Sequence, residues 1–289
     1  MSRNFELLRK AGQDHELFRT DGHASATSDS VRTPSFLDAS TGGRPDDARP
    51  LETPQLEELF GEAPGQTISR SGSRAVGQDP DVLGPTREED VKLVQRVFFT
   101  PESPRPLMVL FVPVEQESDS AAICARSAEI LAAQVEGAVC AVDADLRQPS
   151  LHRRFGLEVV SGLTDVLRDG DLRAGLAQLG RNLWLLPSVA RVAEPHTLLT
   201  SERLRCLFKS LREQFEYVLI SAPPFGSFAE STHLTQLVDG VVLVVEAHLT
   251  RRERARKVKE RLDSIHVPLL GVVLNNRRFP IPETIYRRL

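Results

Sequence analysis

The stretch Val142-Asp143-Ala144-Asp145-Leu146-Arg147-Gln148-Pro149-Ser150-Leu151-His152-Arg153-Arg154-Phe155-Gly156 closes an apolar run that begins at Ala138. The run reads as a buried strand that delivers two aspartates, one residue apart, to its C-terminal end. In an open α/β sheet that end is where ligands bind. Paired carboxylates there commonly hold Mg²⁺, directly or through water, beside nucleotide phosphates. Asp143 and Asp145 are therefore the first candidate metal-binding and catalytic residues.

Working outward, strand-like and helix-like segments alternate. The spacing predicts strands at Leu107–Val112, Ala138–Val142, Leu183–Leu186, Tyr217–Ile220, Val241–Val245 and Leu269–Leu274. Helical patterns fall at about Ser120–Gln134, Leu163–Arg168, Ser201–Gln214, Glu230–Leu237 and Thr250–Ser264. Another begins near Glu88, where Val91, Val94, Val97 and Phe98 recur after an acidic start. Near-continuous apolar strands between helices predict a doubly wound, mainly parallel α/β sheet, covered on both faces.

A P-loop sits between the first strand and its helix. Glycines curl the backbone so that its N–H groups face the phosphates, a Lys reaches them, and a Ser or Thr serves Mg²⁺. Here that place reads Pro113-Val114-Glu115-Gln116-Glu117-Ser118-Asp119-Ser120-Ala121, without glycine or lysine. Ser118 and Ser120 have no His/Asp partner pattern that would make either a hydrolase nucleophile. No Gly-x-Gly-x-x-Gly follows any strand, which argues against a dinucleotide-binding oxidoreductase.

Hydrophobic content of 40% and charged content of 26% are ordinary for a globular chain, and the net charge of -4 gives no sign of a nucleic-acid binder. Cys124, Cys140 and Cys206 lie apart in apolar patterns and are expected to be buried free thiols of a reducing, cytoplasmic compartment. No apolar run is long enough for a membrane span and no apolar signal core opens the chain, so any membrane connection is expected through a partner. Residues 1–87 are rich in Ser, Thr, Gly, Pro, Asp and Arg and are expected to form a mostly disordered tail, with 88–289 as the folded domain. Within the tail, the segment from Phe5 to Phe18 and Leu56-Glu57-Glu58-Leu59-Phe60 have the pattern of short amphipathic helices that form on a partner, or of stray apolar residues.

Further motifs follow in order. After Asp143-Ala144-Asp145-Leu146-Arg147-Gln148-Pro149-Ser150-Leu151-His152 come Gly162-Leu163-Thr164-Asp165-Val166-Leu167 and Leu183-Trp184-Leu185-Leu186-Pro187. Then come Leu198-Leu199-Thr200-Ser201-Glu202-Arg203-Leu204, Tyr217-Val218-Leu219-Ile220-Ser221-Ala222-Pro223-Pro224 and Gly271-Val272-Val273-Leu274-Asn275-Asn276. From about Glu88 onward this series resembles the cytoplasmic kinase domain of the bacterial tyrosine kinases of capsule and exopolysaccharide synthesis, relatives of the Min and Par ATPases within the P-loop class, and so implies a doubly wound sheet of P-loop NTPase type. The resemblance implies that Asp143 and Asp145 serve Mg²⁺ and the catalytic base, and that Asn275 lies close to the adenine. Arg147 and His152 would be structural or in subunit contacts.

The same resemblance marks departures. Glu117 and Asp119 stand where the family has glycines, Ser120 replaces its phosphate-binding Lys, and Ala121 its Mg²⁺-binding hydroxyl. Ser221 replaces the aspartate that ends the Walker B strand, with Glu230 as an acid slightly downstream. The tyrosine cluster is reduced to Tyr286, and the Glu-x-x-Arg-x-x-Arg contact motif is blurred into Glu89–Gln95. Losing an attractive charge at about 4 Å forfeits roughly 4 kcal/mol at an effective dielectric near 20. Micromolar affinity amounts to about 8 kcal/mol. Non-glycine residues at left-handed positions cost roughly 1–2 kcal/mol each, so the loop is expected to take another shape.

The leading expectation is a catalytically impaired, kinase-like regulator or adaptor of bacterial exopolysaccharide biosynthesis or export. It would bind no cofactor, dock on an inner-membrane polysaccharide co-polymerase and form homo-oligomers or not. On this expectation Asp143 and Asp145 are a vestigial pair that hydrogen-bonds neighbouring loops. The competing expectation is an active autokinase with ATP and Mg²⁺ at Asp143, Asp145, Ser120, Ala121 and Asn275, acting on Tyr286. Otherwise Tyr286 packs its ring, the basic helix Arg251–Arg261 is a solvated face rather than a lipid-facing one, Trp184 is core, and His196 and His233 are not metal ligands.

Overall fold

The computed structural model describes residues 83–100, 105–189 and 191–276. Nearly all of the segment read as a tail, its two amphipathic candidates, and Tyr286 lie outside the described residues.

Helix α1, Leu83–Phe98, starts ahead of the composition change at Glu88, with Pro85 in its first turn, where a missing N–H is tolerated. The sheet then builds from β1 (Met108–Pro113), β2 (Val139–Asp143), β3 (Ala177–Gln178), β4 (Leu183–Leu186), β5 (Tyr217–Ser221), β6 (Gly240–Glu246) and β7 (Leu269–Asn275). Its order is β3-β4-β2-β5-β1-β6-β7, and every pairing except the antiparallel β3–β4 is parallel. The six strands expected from the sequence are all present, each end within one residue of its expected place. β3 was not expected, because two residues carry no readable period.

Helix α2, Ser120–Gln134, follows β1. Next come α3 (Leu151–Arg154), α4 (Leu163–Asp169), α5 (Leu172–Gly175), α6 (Pro195–Leu199), α7 (Glu202–Gln214), α8 (Ala229–Thr235) and α9 (Arg252–Ser264). Alternate strand residues feed two cores. Met108, Leu110, Val142, Trp184 and Ile220 meet Leu204, Leu207, Phe208 and Leu211 of α7 and Leu262 of α9. Val109, Phe111, Ala141, Leu185 and Leu219 meet Val94, Val97 and Phe98 of α1 and Ile123, Cys124 and Leu131 of α2. Trp184 is core, as the strand pattern implied.

Two polar ties set the frame of the site. The Asp239 carboxylate accepts from the N–H groups of Leu107 and Met108, each at 2.8 Å, and from Arg212 at 2.8 Å, which fixes the start of β1. Arg126 of α2 donates to the buried Asp90 of α1 at 2.5 Å. One cysteine corrects the sequence reading: Cys124 and Cys140 are buried, but Cys206 is exposed, on the outer side of α7. Its neighbours Leu204, Leu207, Phe208 and Leu211 already make up the buried stripe at helical spacing.

Candidate functional site

β5 runs between β1 and β2, so the loops after these three strands share one end of the sheet. Ser221 is level with Phe111 on one side and with Asp143 on the other. Ala144 N–H donates to the Ser221 carbonyl at 2.8 Å, and Ala222 N–H to the Phe111 carbonyl at 3.1 Å. The pattern places the site outside the carboxyl ends of central parallel strands.

Asp143 is fully buried at the tip of β2. Its Oδ1 accepts from Asp145 N–H at 3.2 Å, and its Oδ2 from Ser150 and Leu151 N–H, both at 2.9 Å. Burial raises its pKa to about 7; the Leu151 and Ser150 N–H groups pull the other way, and the nearby Asp145 carboxylate adds to the rise. Asp145 Oδ1 accepts from Arg147 N–H at 3.0 Å and Gln148 N–H at 2.9 Å. Burial lifts its pKa as well. Local Asx turns of this kind explain why aspartates close a strand so tightly.

Arg147 then crosses to the first turn of α8, which follows β5. It donates to Glu230 Oε1 through Nη2 at 2.6 Å and Nε at 3.2 Å, and its guanidinium carbon lies 4.1 Å from the centre of the Phe228 ring. Glu230 is 1% exposed, so this cation neutralises a carboxylate that water does not reach. Arg147 is thus a structural tie, one of the two roles expected for it. His152 lies in α3, where burial lowers its pKa.

The loop after β1 is built differently. Among the described residues the non-glycine positions at positive φ are His248, His266 and Asn276, so no residue of 113–120 curls as glycine would. Asp119 is instead the N-cap of α2: its Oδ1 accepts from Ala122 N–H at 3.2 Å, and its Oδ2 receives Arg154 Nη2 at 2.5 Å. Glu115, 7% exposed, pairs with Arg254 of α9 at 2.8 Å. Ser120 and Ala121 are buried in the first turn of α2. The Ser118 hydroxyl is buried without a hydrogen-bond partner.

Asn275 reaches the same end of the sheet, with three strands between it and β2. Its side chain donates to Glu246 Oε2 at 3.2 Å, and that of Asn276 to Glu246 Oε1. Sequence reasoning gave no role to Arg154, Arg254 or Glu115, whose partners are far away along the chain. The basic helix is largely the solvated face expected, with Arg256–Glu260 and Lys259–Asp263 paired one turn apart; Arg254 is its one tie to the loop. Among the described residues no three His, Cys, Asp or Glu side chains converge as a cation site of their own.

A phosphate chain with magnesium fits the acidic side of this site, where buried Asp143 and the nearby Asp145 are held by backbone N–H groups. At the loop it meets the N-terminus of a 15-residue helix, which favours anions, but the Asp119 carboxylate holds that position. Among the described residues, Arg154 and Arg254 reach the loop, and each already carries a carboxylate.

No family model matches the chain. Tyrosine-protein kinase YwqD of Bacillus subtilis (strain 168) is 33% identical over 168 residues, spanning 57% of this chain and 69% of that protein. Among solved structures, the chimerical protein CapA2B2 aligns with a TM-score of 0.64 at 22% identity, covering 78% of this chain and all of that one. The septum site-determining protein MinD of Pyrococcus horikoshii, complexed with Mg-ADP, aligns with a TM-score of 0.51 at 21% identity, covering 62% of this chain and 76% of that one. These likenesses carry the doubly wound fold. They also correct the expectation that no cofactor binds: the relative is a kinase, and a domain of this fold is solved with Mg-ADP, so the absence of a lysine alone does not remove nucleotide from the site's chemistry.

Proposed function

Because this chain belongs to the bacterial tyrosine-protein kinases, we propose that it is a nucleotide-binding adaptor of exopolysaccharide synthesis or export with weakened phosphoryl transfer. It docks on an inner-membrane polysaccharide co-polymerase from the cytoplasmic side. The observation that carries this reading is the contrast at the sheet end: a complete acidic loop after β2 beside a β1 loop that has no lysine and carries carboxylates at 115, 117 and 119. Phosphoryl transfer depends on positive charge aimed at the transferring group, and this loop supplies little of it.

In this reading Asp143 and Asp145 hold Mg²⁺, and the first N–H groups of α2 meet the phosphates. Bound magnesium would neutralise phosphate charge and align the transferring group. Arg147 ties the loop after β2 to the start of α8 by its bond to Glu230. A solved relative of this fold is a chimera named CapA2B2, which supports a partner-completed assembly. Among the described residues no helix is long and apolar enough to cross a membrane, so attachment in this reading comes through that partner.

The second reading, an active tyrosine autokinase with Tyr286 as its target, is favoured by the name of the 33% relative. One experiment separates them. The full chain is incubated with radiolabelled ATP and Mg²⁺, alone and with the cytoplasmic segment of a co-polymerase, and phosphotyrosine is counted. The adaptor reading expects ATP retained on the protein, co-polymerase bound, and little or no phosphotyrosine. Near-stoichiometric phosphotyrosine abolished by Tyr286→Phe would replace it with the autokinase.

A further inference from the structure

The carboxylate of Asp119 sits where an anion belongs. Helix α2 is 15 residues long, and its free N–H groups and dipole favour negative charge at the first turn. Asp119 meets that demand with one oxygen and spends the other on Arg154. Next to it, Ser118 is 9% exposed and its hydroxyl finds no partner, although buried hydroxyls nearly always do. A helix terminus, a cation and a buried, unpaired hydroxyl therefore occur together at the loop that follows β1.

The bland reading is that Asp119 is an ordinary cap. It accounts for the bond to Ala122 but for neither the arginine nor the orphaned Ser118. A cap also needs no charge, since Asn and Ser serve as well. The Asp119–Arg154 pair is partly open to water, with side chains 32% and 42% exposed, so it is within reach of an entering group. Exposed pairs of this kind contribute little stability and exchange readily. A phosphate offers the same helix end and the same guanidinium more charge and more acceptor oxygens than one carboxylate does.

We propose that Asp119 is an internal competitor for the phosphate seat at the start of α2, and that Arg154 is the cation handed to the nucleotide when Asp119 is displaced. Arg154 thereby supplies from α3 the positive charge that the loop lacks. Glu115 and Arg254 flank the exchange but stay together, because Glu115 is buried. The inference rests on the reading that nucleotide binds at this end of the sheet, and it names the residues that set how tightly.

Calorimetry of the full chain with ADP and Mg²⁺ tests it, using the wild type, Asp119→Asn and Asp119→Ser, and Asp119→Asn combined with Arg154→Gln. Thermal melts of each variant establish that it is folded. The single substitutions keep a capping side chain and remove only the charge, so ADP is expected to bind at least about tenfold tighter. Adding Arg154→Gln is expected to cancel that gain. Unchanged or weaker affinity in both single variants overturns the competitor role while leaving nucleotide binding intact. Retention of the whole gain in the double variant overturns the role of Arg154. If no folded variant takes up ADP at millimolar concentration, the inference and the nucleotide reading fall together.

Discussion

The loops after β1 and β2 leave the same end of the sheet on either side of β5, but they satisfy their carboxylates by different means. After β2, Asp143 and Asp145 are met by five backbone N–H groups from the next few residues. After β1, Glu115 and Asp119 are met by arginines from α9 and α3. The first loop is a local structure that folds on itself. The second takes its shape only once distant elements have assembled around it. Asp119 stands between the two cases, with one oxygen on the local Ala122 N–H and the other on the part-exposed Arg154.

That contrast can be broken by experiment, beginning with the largest effect. Asp143 has its pKa raised to about 7 by burial, whereas in the unfolded chain it titrates near the ordinary carboxylate value of about 4. Between those values the folded chain binds the extra proton, so this group's contribution to stability is complete below about pH 4 and is lost as the pH rises to about 7. The loss is on the order of 4 kcal/mol across that window. Denaturant titrations at a series of pH values should show the decline, and Asp143→Asn should flatten it; a wild-type profile as flat as the variant's contradicts a buried, cation-free carboxylate.

Next, Arg147→Ala strands the buried Glu230 and should cost about 3 kcal/mol in urea unfolding. A cost within experimental error would mean that the β2 loop stands without its link to β5. Arg254→Ala, which leaves Glu115 without its cation, should cost about 2 kcal/mol by the same measurement. Asp119→Ala, which removes only a cap and an exposed pair, should cost about 1 kcal/mol in thermal unfolding. If Asp119→Ala proved costlier than Arg147→Ala, the β1 loop would be the more firmly held of the two.

The same contrast explains what the sequence could disclose. Runs such as Met108–Val112 and Val139–Val142 are apolar on both faces, which signals buried parallel strands wherever they end up. Asp143 and Asp145 were legible because their partners lie within eight residues and the spacing itself implies a turn. Arg154 was in plain view within the quoted stretch, but its partner lies 35 positions earlier, and no local period connects them. Arg254 was hidden among similar residues of a basic helix. The exposure of Cys206 was missed because its flanking leucines suggested burial, while the helical phase turned it outward. β3 and the four-residue helices α3 and α5 are imposed by tertiary packing and are too short to leave a pattern.

The level pairing of Ser221 with Asp143 limits the order in which new charges can be introduced. Adjacent strands run about 4.8 Å apart, so an aspartate written at position 221 would confront the carboxylate of Asp143 across that gap in a place water does not reach. Taken as a first step, such a change is self-defeating. Taken after a lysine is placed in the neighbouring turn, it meets a waiting counter-charge. The two substitutions are therefore ordered: cation before acid, with the reverse sequence closed by repulsion.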